Sequence, residues 1–309
     1  TTDAVYVTRR SANSASASTN IYLDKYHPKT GEFLGTINLD KVAAVHGYFP
    51  NNDVIKDNAD NIVIANMVTN ISRNNIYLYK VNTETGDLTL VATLGGPSSA
   101  TYRVDHVGIY GDVTARQFHV FAGAANSSYI FRWTVSKPET AVTPDSYTIP
   151  SFYPSSAASL GIAPRVRPIS ATQVWVDGGN TAMTLYTLSG TKATATATFA
   201  EAQEHAPASP GDNGGALFNF QNKPYIVYNY EPSAPRTNIT PEYFGKFNVA
   251  RMKTATSLSG LEKMWTIPEE GLGSKNSTTM SAPADAVVQP DKKSVHIYLY
   301  SPTNGVAAY

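Results

Sequence analysis

A short run of aromatic and β-branched residues recurs along the chain at a nearly constant interval. Such a run is typical of a β-strand. Its members are Ile21–Tyr26, Ile76–Val81, Tyr129–Thr134, Met183–Leu188 and Tyr243–Asn248. Their starts are separated by 55, 53, 54 and 60 residues, and a shorter sixth run covers Val306–Tyr309. Self-similarity at a fixed period indicates a chain built from repeats of one small unit.

Three further series of strand-like runs keep nearly the same period. One precedes each run above, with members Val5–Thr8, Ile62–Ala65, Phe118–Phe121, Val174–Val176, Tyr225–Tyr228 and Val295–Tyr298. A third series leads into this second one, at Val54–Ile55, Val107–Tyr110, Arg165–Ile169, Ala216–Phe220 and Ala286–Val288. A fourth series follows the runs of the first, at Phe33–Leu39, Leu88–Leu94, Ser146–Ile149, Ala193–Phe199 and Leu261–Ile267. The repeating unit is therefore predicted to be four antiparallel strands.

Similar turns join the third strand to the fourth in the first two units. These are His27–Glu32 and Asn82–Asp87, each with a Thr-Gly pair that suits a hairpin with a left-handed glycine. Four-stranded units of this length are typical of a β-propeller. The sequence thus predicts an all-β protein forming one six-bladed β-propeller, with five or seven blades as alternatives. The predicted units are 1–40, 41–95, 96–150, 151–200, 201–268 and 269–309.

The two ends of the repeat array are incomplete. The first unit lacks its innermost strand and the sixth stops after its third, so ring closure is irregular or needs residues outside this chain. Two β-sandwiches side by side are a competing interpretation. A continuous period with no linker across 309 residues favours the propeller.

Composition narrows the classes of function. Charged residues make up only 16% of the chain, and basic and acidic residues balance at 24 each without a basic cluster. Nucleic-acid binding is therefore not expected, because phosphate-tracking proteins carry a clustered basic surface. There is no cysteine, and no apolar run long enough to span a membrane. This weakly charged composition favours an extracytoplasmic protein that is secreted, periplasmic or anchored through a segment outside this chain.

Long loops are expected on one face of the propeller, where strand two is joined to strand three and one blade to the next. Binding residues collect on such loops when a rigid scaffold holds them. Aromatic rings beside basic side chains suit a glycan or a peptide, because rings stack on apolar patches of the ligand and polar groups form hydrogen bonds with its hydroxyls. The candidate ligand-binding residues are Tyr48, Tyr102, Arg103, His106, Tyr153, His205 and Arg236.

An acidic residue recurs where the innermost strand begins, at Asp53, Asp105, Asp212 and Asp285. A feature that repeats in each blade is expected to have a structural task, such as capping loop amides. The alternative is a polysaccharide hydrolase or lyase, in which Asp105, His106 and Asp212 would be catalytic.

Asp57–Asn61 resembles a calcium loop, but it lacks the central glycine and the closing carboxylate, so a hairpin turn is expected instead.

No motif predicts a metal or cofactor. The six histidines show no metal-binding spacing, and the chain contains no phosphate-binding loop or dinucleotide fingerprint. His119 and His296 are expected to be half-buried packing residues in second strands.

Tyrosine-rich strands, Thr-Gly turns, Ser/Asn-rich loops and the absence of cysteine are shared with one group of proteins. In these features the chain resembles the secreted or lipid-anchored β-propellers of gut-dwelling Gram-negative bacteria. The resemblance implies a cell-surface or periplasmic setting and the capture of glycans or proteins. We therefore expect a non-catalytic binding or scaffold propeller, with the polysaccharide-cleaving enzyme as the alternative.

Overall fold

The structure is a computed structural model of the chain. It describes residues 3–10, 21–40, 53–96, 98–136, 147–155, 157, 159–179, 183–198, 215–229, 246–257, 259–269, 284–301 and 305–309. Within these residues the backbone forms 22 strands in six small antiparallel sheets. No helix in this part of the chain is long and apolar enough to cross a membrane.

The first three sheets follow one another along the chain. The first contains β1 (Val5–Arg10), β2 (Ile21–Tyr26) and β3 (Phe33–Asn38). The second contains β4 (Asp53–Lys56), β5 (Ile62–Ala65), β6 (Ile76–Val81) and β7 (Leu88–Leu94). The third contains β8 (Val107–Tyr110), β9 (Gln117–Gly123), β10 (Tyr129–Ser136) and β11 (Tyr147–Pro154).

The other three sheets have the same meander order. The fourth contains β12 (Ile162–Pro168), β13 (Gln173–Gly179), β14 (Thr184–Ser189) and β15 (Lys192–Thr198). The fifth contains β16 (Ala216–Phe220), β17 (Lys223–Asn229), β18 (Phe247–Arg251) and β19 (Glu262–Ile267). The sixth contains β20 (Ala284–Val288), β21 (Val295–Ser301) and β22 (Gly305–Ala308).

This order confirms the predicted strand series. Six sheets of three or four strands are consistent with a propeller-like arrangement, and the two three-stranded sheets are the first and the last. β18 begins at Phe247, and Tyr243, where the predicted run starts, lies outside the described residues. β11 covers Tyr147–Pro154, so this strand extends beyond the predicted run Ser146–Ile149.

The backbone divides into two compact units. One comprises Asp3–Val174 and Thr187–Thr194, and the other comprises Trp175–Tyr186 and Ala195–Tyr309. In the first unit, the second sheet buries both of its faces. Val63 and Leu78 belong to a core shared with the third sheet, whereas Ile64 belongs to a core shared with the first sheet. Because neighbouring residues of a strand point to opposite faces, β5 is apolar throughout.

In the second unit, the fifth and sixth sheets share one core. It contains Val227, Phe247 and Val249 from the fifth sheet, and Ile297 and Leu299 from the sixth. These residues are spaced two apart within their strands, so each strand presents one apolar face to the neighbouring sheet. The period-two pattern of the sequence therefore produces face-to-face packing in this unit as well.

The hairpin turns follow the predicted chemistry. Gly31 and Gly86 have φ values of 69° and 78°, and each donates its N–H to the carbonyl of the first turn residue, His27 or Asn82. Only glycine adopts this left-handed conformation without steric cost. The Thr-Gly pairs are therefore confirmed as the signal for these turns.

A compact turn joins β4 to β5 and also binds the third sheet. The buried Asp57 carboxylate accepts hydrogen bonds from the N–H groups of Ala59 and Asn61, both at 2.9 Å, and from Val113 N–H, also at 2.9 Å. The Asn61 side-chain amide also donates to Asp57, at 2.8 Å. Because the segment joins the antiparallel strands β4 and β5, the prediction that Asp57–Asn61 is a hairpin turn is confirmed. Val113 lies in the turn that joins β8 to β9, so the same carboxylate connects two successive sheets.

The third sheet approaches β12 too closely for any side chain at Gly108. A Cβ atom there would lie 2.5 Å from the Val166 carbonyl oxygen and 2.6 Å from Pro168 Cδ. At Gly123 the nearest atom would be Pro164 Cγ, at 2.8 Å. Backbone and ring atoms cannot move aside as a flexible side chain does, so these glycines set the spacing between the sheet and β12.

We predict that Gly108→Ala destabilises the protein by about 1–3 kcal/mol, because the added methyl group overpacks a contact made by backbone. Gly95→Ala is the matched control. Its Cβ would meet only the Asn75 side-chain oxygen, at 3.1 Å, so a smaller loss is expected. Urea unfolding of both variants measures the difference. Equal stability of Gly108→Ala and wild type would contradict the packing described.

Candidate functional site

Two long loops of the first unit are joined by backbone hydrogen bonds. One connects β5 to β6, and the other connects β7 to β8. Val68 and Val104 exchange N–H···O bonds of 3.0 and 2.8 Å, Ile71 N–H donates to the Tyr102 carbonyl at 2.9 Å, and Gly96 N–H donates to the Ile71 carbonyl at 3.1 Å. Both loops were predicted to share one face, and these bonds bring them together.

The same pattern continues beside the third sheet. Ala125 N–H, in the loop between β9 and β10, donates to the Arg103 carbonyl at 2.9 Å. Leu160 N–H, in the connection after β11, donates to the Ser127 carbonyl at 2.6 Å. The described residues of loops 66–75, 95–106, 124–128 and 155–161 therefore form one connected layer, which we name the loop platform.

Two buried side chains fix the base of the loop platform. Trp133 Nε1–H donates to the Gly95 carbonyl at 2.8 Å, where the second loop leaves β7. The Asn66 amide donates to the Asn75 carbonyl at 3.1 Å and accepts from Tyr77 N–H at 2.6 Å, which closes the first loop. These bonds satisfy backbone groups that have no partner in a sheet.

Arg103 and Asp105 form a tight ion pair on the loop platform. Arg103 Nε lies 2.8 and 2.9 Å from the two oxygens of Asp105, and Nη2 lies 2.8 Å from Oδ1. The Asp105 side chain is buried, whereas 46% of the Arg103 side chain is exposed. Asp105 therefore holds one edge of the guanidinium, while the Nη1 side of the group has no partner among the described residues.

His106 is paired with Asp53 rather than with its neighbour Asp105. The distance from His106 Nδ1 to Asp53 Oδ2 is 3.5 Å, which is too long for a well-formed hydrogen bond. The same Asp53 oxygen accepts the Val107 N–H at 3.2 Å. Asp53 thus joins the start of β4 to the start of β8, which confirms the predicted capping role at this position.

Burial lowers the pKa of His106 below its ordinary value of 6.5, and the positive charge of Arg165 acts in the same direction. The Asp53 and Asp105 carboxylates oppose this shift but do not overcome it. The imidazole is only 11% exposed, so its charged form loses most of its hydration. His106 is therefore neutral at pH 7.

Two predicted aromatic site residues serve in packing. The Tyr102 ring lies 5.2 Å from the Tyr129 ring, with both rings against the core shared by the second and third sheets. Tyr153 is buried on β11, and the Arg132 guanidinium lies 5.3 Å from its ring centre. Both rings therefore make packing contacts with neighbouring side chains, and their role in ligand binding stays a prediction.

The remaining predicted site residues lie outside the described residues. They are Tyr48, His205, Asp212 and Arg236. The other recurring acid, Asp285, is exposed on β20 and accepts only the N–H of the next residue among the described contacts, so it differs from the buried Asp53 and Asp105. His119 and His296 are half-buried within β9 and β21, as expected.

A buried charged network in the first sheet was missed by the sequence reasoning. The Asp24 carboxylate on β2 accepts from Arg9 Nε at 2.5 Å and from the Thr36 hydroxyl at 2.7 Å, which joins all three strands. The hydrogen bond from Arg9 lowers the pKa of Asp24 below its usual value, and Thr36 adds to this effect. The available signal was an acidic residue, Asp24, at a strand position that follows the apolar residues Ile21 and Leu23.

Comparison with solved structures shows likeness of fold only. The major allergen Mala s 1 of Malassezia sympodialis is 12% identical, with a TM-score of 0.51 over 99% of this chain and 88% of that chain. A candidate 6-phosphogluconolactonase of Bacteroides uniformis is 14% identical, with a TM-score of 0.42 over 99% of this chain and 82% of that chain.

The N-terminal domain of Nup159 is 10% identical, with a TM-score of 0.42 over 99% of this chain and 75% of that chain. No family model and no curated protein sequence matches the chain.

We predict that the protein loses stability as the pH falls through and below 6.5. A histidine whose pKa is lower in the folded state binds fewer protons there than in the unfolded chain, so acid favours unfolding. The stability contributed by neutral His106 is fully present above this pH. Urea unfolding between pH 7.5 and 5 should show a smaller decline for His106→Gln than for wild type.

His119→Gln is the control for that series. Burial also lowers the pKa of His119, but this side chain is only half-buried, so its removal should flatten the pH profile less. A His106→Gln profile with the full wild-type slope would show that His106 is not the group that titrates.

Proposed function

We propose that the six sheets are the blades of one six-bladed β-propeller that acts as a non-catalytic binding scaffold outside the cytoplasm. The loop platform is the proposed docking surface, and the proposed ligand is a glycan or the surface of another protein. The observation that carries this proposal is the backbone bonding between the long loops, which holds the exposed Arg103 in a fixed position.

The repeat supports the propeller. Successive sheets pack face to face within each compact unit, as blades do, and each sheet is a meander of neighbouring strands. The likeness in fold to the Malassezia allergen extends over 99% of the chain. A repeat that continues through both compact units suits one ring of blades better than two independent sandwiches.

The rigidity of the loops supports a binding role. A surface whose backbone is already ordered does not lose conformational entropy when a ligand docks, and this strengthens binding. Arg103 is fixed by Asp105 on one edge, so its remaining N–H groups can donate to hydroxyl, carboxylate or carbonyl oxygens of a ligand. Both glycans and protein surfaces present such acceptors.

The pairing of Asp105 supports a non-catalytic role. In a polysaccharide hydrolase or lyase, Asp105 would need to exchange protons with the substrate, yet it already accepts a two-fold contact from Arg103. His106 faces Asp53 and is buried.

The proposed setting outside the cytoplasm is supported by composition alone, namely the absence of cysteine and the 16% of charged residues.

We predict that Arg103→Ala weakens ligand binding by about tenfold or more, because a hydrogen bond from a charged donor is lost. The measurement is retention of the purified protein on arrays of polysaccharides, mucin glycans and envelope proteins. Arg251→Ala is the matched control, since Arg251 pairs with Glu262 on the adjacent strand β19 and does not belong to the loop platform.

Product analysis on the same polysaccharides separates the two functions. The proposal expects no product from wild type or from Asp105→Asn. Release of oligosaccharides by wild type that disappears in Asp105→Asn would establish the enzyme and overturn the proposal. Unchanged retention of Arg103→Ala would remove the loop platform as the docking surface.

A further inference from the structure

The side chain of Arg132 is half-buried between the third sheet and the turn that follows β12. Its Nη1 donates to the Ala171 carbonyl at 3.0 Å, which is its only hydrogen bond within the described residues. Nε is buried and has no acceptor in this part of the chain. The guanidinium therefore extends from β10 to the turn after β12, with most of its N–H donors unused.

No counter-charge accompanies this guanidinium among the described residues. Arg9, Arg103 and Arg251 each pair with a carboxylate, whereas Arg132 has no Asp or Glu within ion-pair distance in the same part of the chain. The face of the Tyr153 ring, 5.3 Å away, attracts the cation but offers no lone pair to its N–H groups. Partial burial of an unpaired charge is unfavourable, and an external anion would offset that cost.

Two polar side chains lie beside Arg132 on the same sheet face. Thr134 is two residues further along β10, and His119 lies directly opposite Thr134 on β9. Thr134 Oγ1 is 3.2 Å from His119 Nδ1. Burial lowers the pKa of His119 below 6.5, and the positive charge of Arg132 lowers it further, so the imidazole is neutral at pH 7.

The pair of Thr134 and His119 keeps one hydrogen-bond donor in either tautomer of the imidazole. If the hydroxyl donates to Nδ1, the proton of the ring is on Nε2. If Nδ1 carries the proton and donates to the hydroxyl oxygen, the hydroxyl hydrogen is left over. Neither side chain makes another hydrogen bond within the described residues, so this donor is available to a ligand.

The fourth sheet covers only part of this face. Its first strand, β12, ends at Pro168, and a Cβ atom at Gly108 would lie 2.6 Å from Pro168 Cδ. Tyr110 follows Gly108 by two residues on β8, so it lies on the same face, and it pairs with His119. His119 and Thr134 therefore lie one step beyond the end of β12, where both are half-buried and within reach of solvent.

We propose that Arg132, Thr134 and His119 form a binding site for a phosphate group at the junction of the third sheet and the turn after β12. The guanidinium donates to two phosphate oxygens, because its planar N–H groups match the spacing of oxyanion oxygens. The donor of the Thr134 and His119 pair binds a third oxygen, which a carboxylate does not have. The site contains no residue of the loop platform, so it does not depend on the function proposed above.

The histidine ring itself reports on the site. Titration of the full chain with inorganic phosphate, at an ionic strength kept constant with sodium chloride, should shift the ring resonances of His119 saturably in NMR spectra. His119→Gln identifies these resonances by their loss. Acetate at the same concentrations should shift them by much less, because it supplies a charge but only two oxygens.

Substitutions assign the donors. We expect Arg132→Gln to weaken phosphate binding by about tenfold or more, because a charged donor is lost, and Thr134→Val to weaken it by about threefold or more. Arg251→Gln is the matched control and should bind as wild type does, since Arg251 pairs with Glu262 on β19. The thermal unfolding midpoint monitors folding, and Thr134→Val, which keeps the shape of the side chain, decides the matter if Arg132→Gln does not fold.

Glycerol 3-phosphate distinguishes two sources of the phosphate group. Tighter binding than inorganic phosphate would assign the site to a phosphate ester, and equal or weaker binding would assign it to free phosphate. The proposal would be overturned by the absence of a saturable shift in wild type, by acetate binding as tightly as phosphate, or by wild-type affinity in folded Arg132→Gln or in Thr134→Val.

Discussion

Burial of both faces of one sheet is the constraint on which the described structure of the first unit depends. Val63 and Ile64 are neighbours on β5, and both are fully buried because a different sheet lies against each face. Strands in this position must be apolar throughout, and the sheets must lie close together. Gly108 and Gly123 allow that approach where β12 packs on the third sheet.

Close packing of sheets creates a second requirement, because buried polar groups need partners. Asp53 and Asp57 each accept an N–H from the following sheet, Asp24 binds Arg9 and Thr36, and Asp105 binds Arg103. Removing one partner of such a pair leaves a buried charge or donor unsatisfied. Of the recurring acidic residues, Asp53 therefore helps to join one sheet to the next, whereas Asp105 pairs within its own loop.

The sequence predicted what depends on local pattern. Strand positions follow from runs such as Ile76–Val81, and the left-handed turns follow from Gly31 and Gly86. It could not predict pairings between residues distant in the chain, such as Asp53 with His106, because spacing carries no information on which loops meet. The contact of Arg132 with the Tyr153 ring was not predicted either, because it depends on the register between β10 and β11.

Hydrogen–deuterium exchange tests most directly whether the long loops form one rigid platform. The amides of Val68, Ile71, Val104 and Ala125 are hydrogen-bonded between loops. If the platform is rigid, they should exchange as slowly as amides in the neighbouring strands β5 and β6. Exchange of these four amides at the rate of an unstructured peptide would contradict the account.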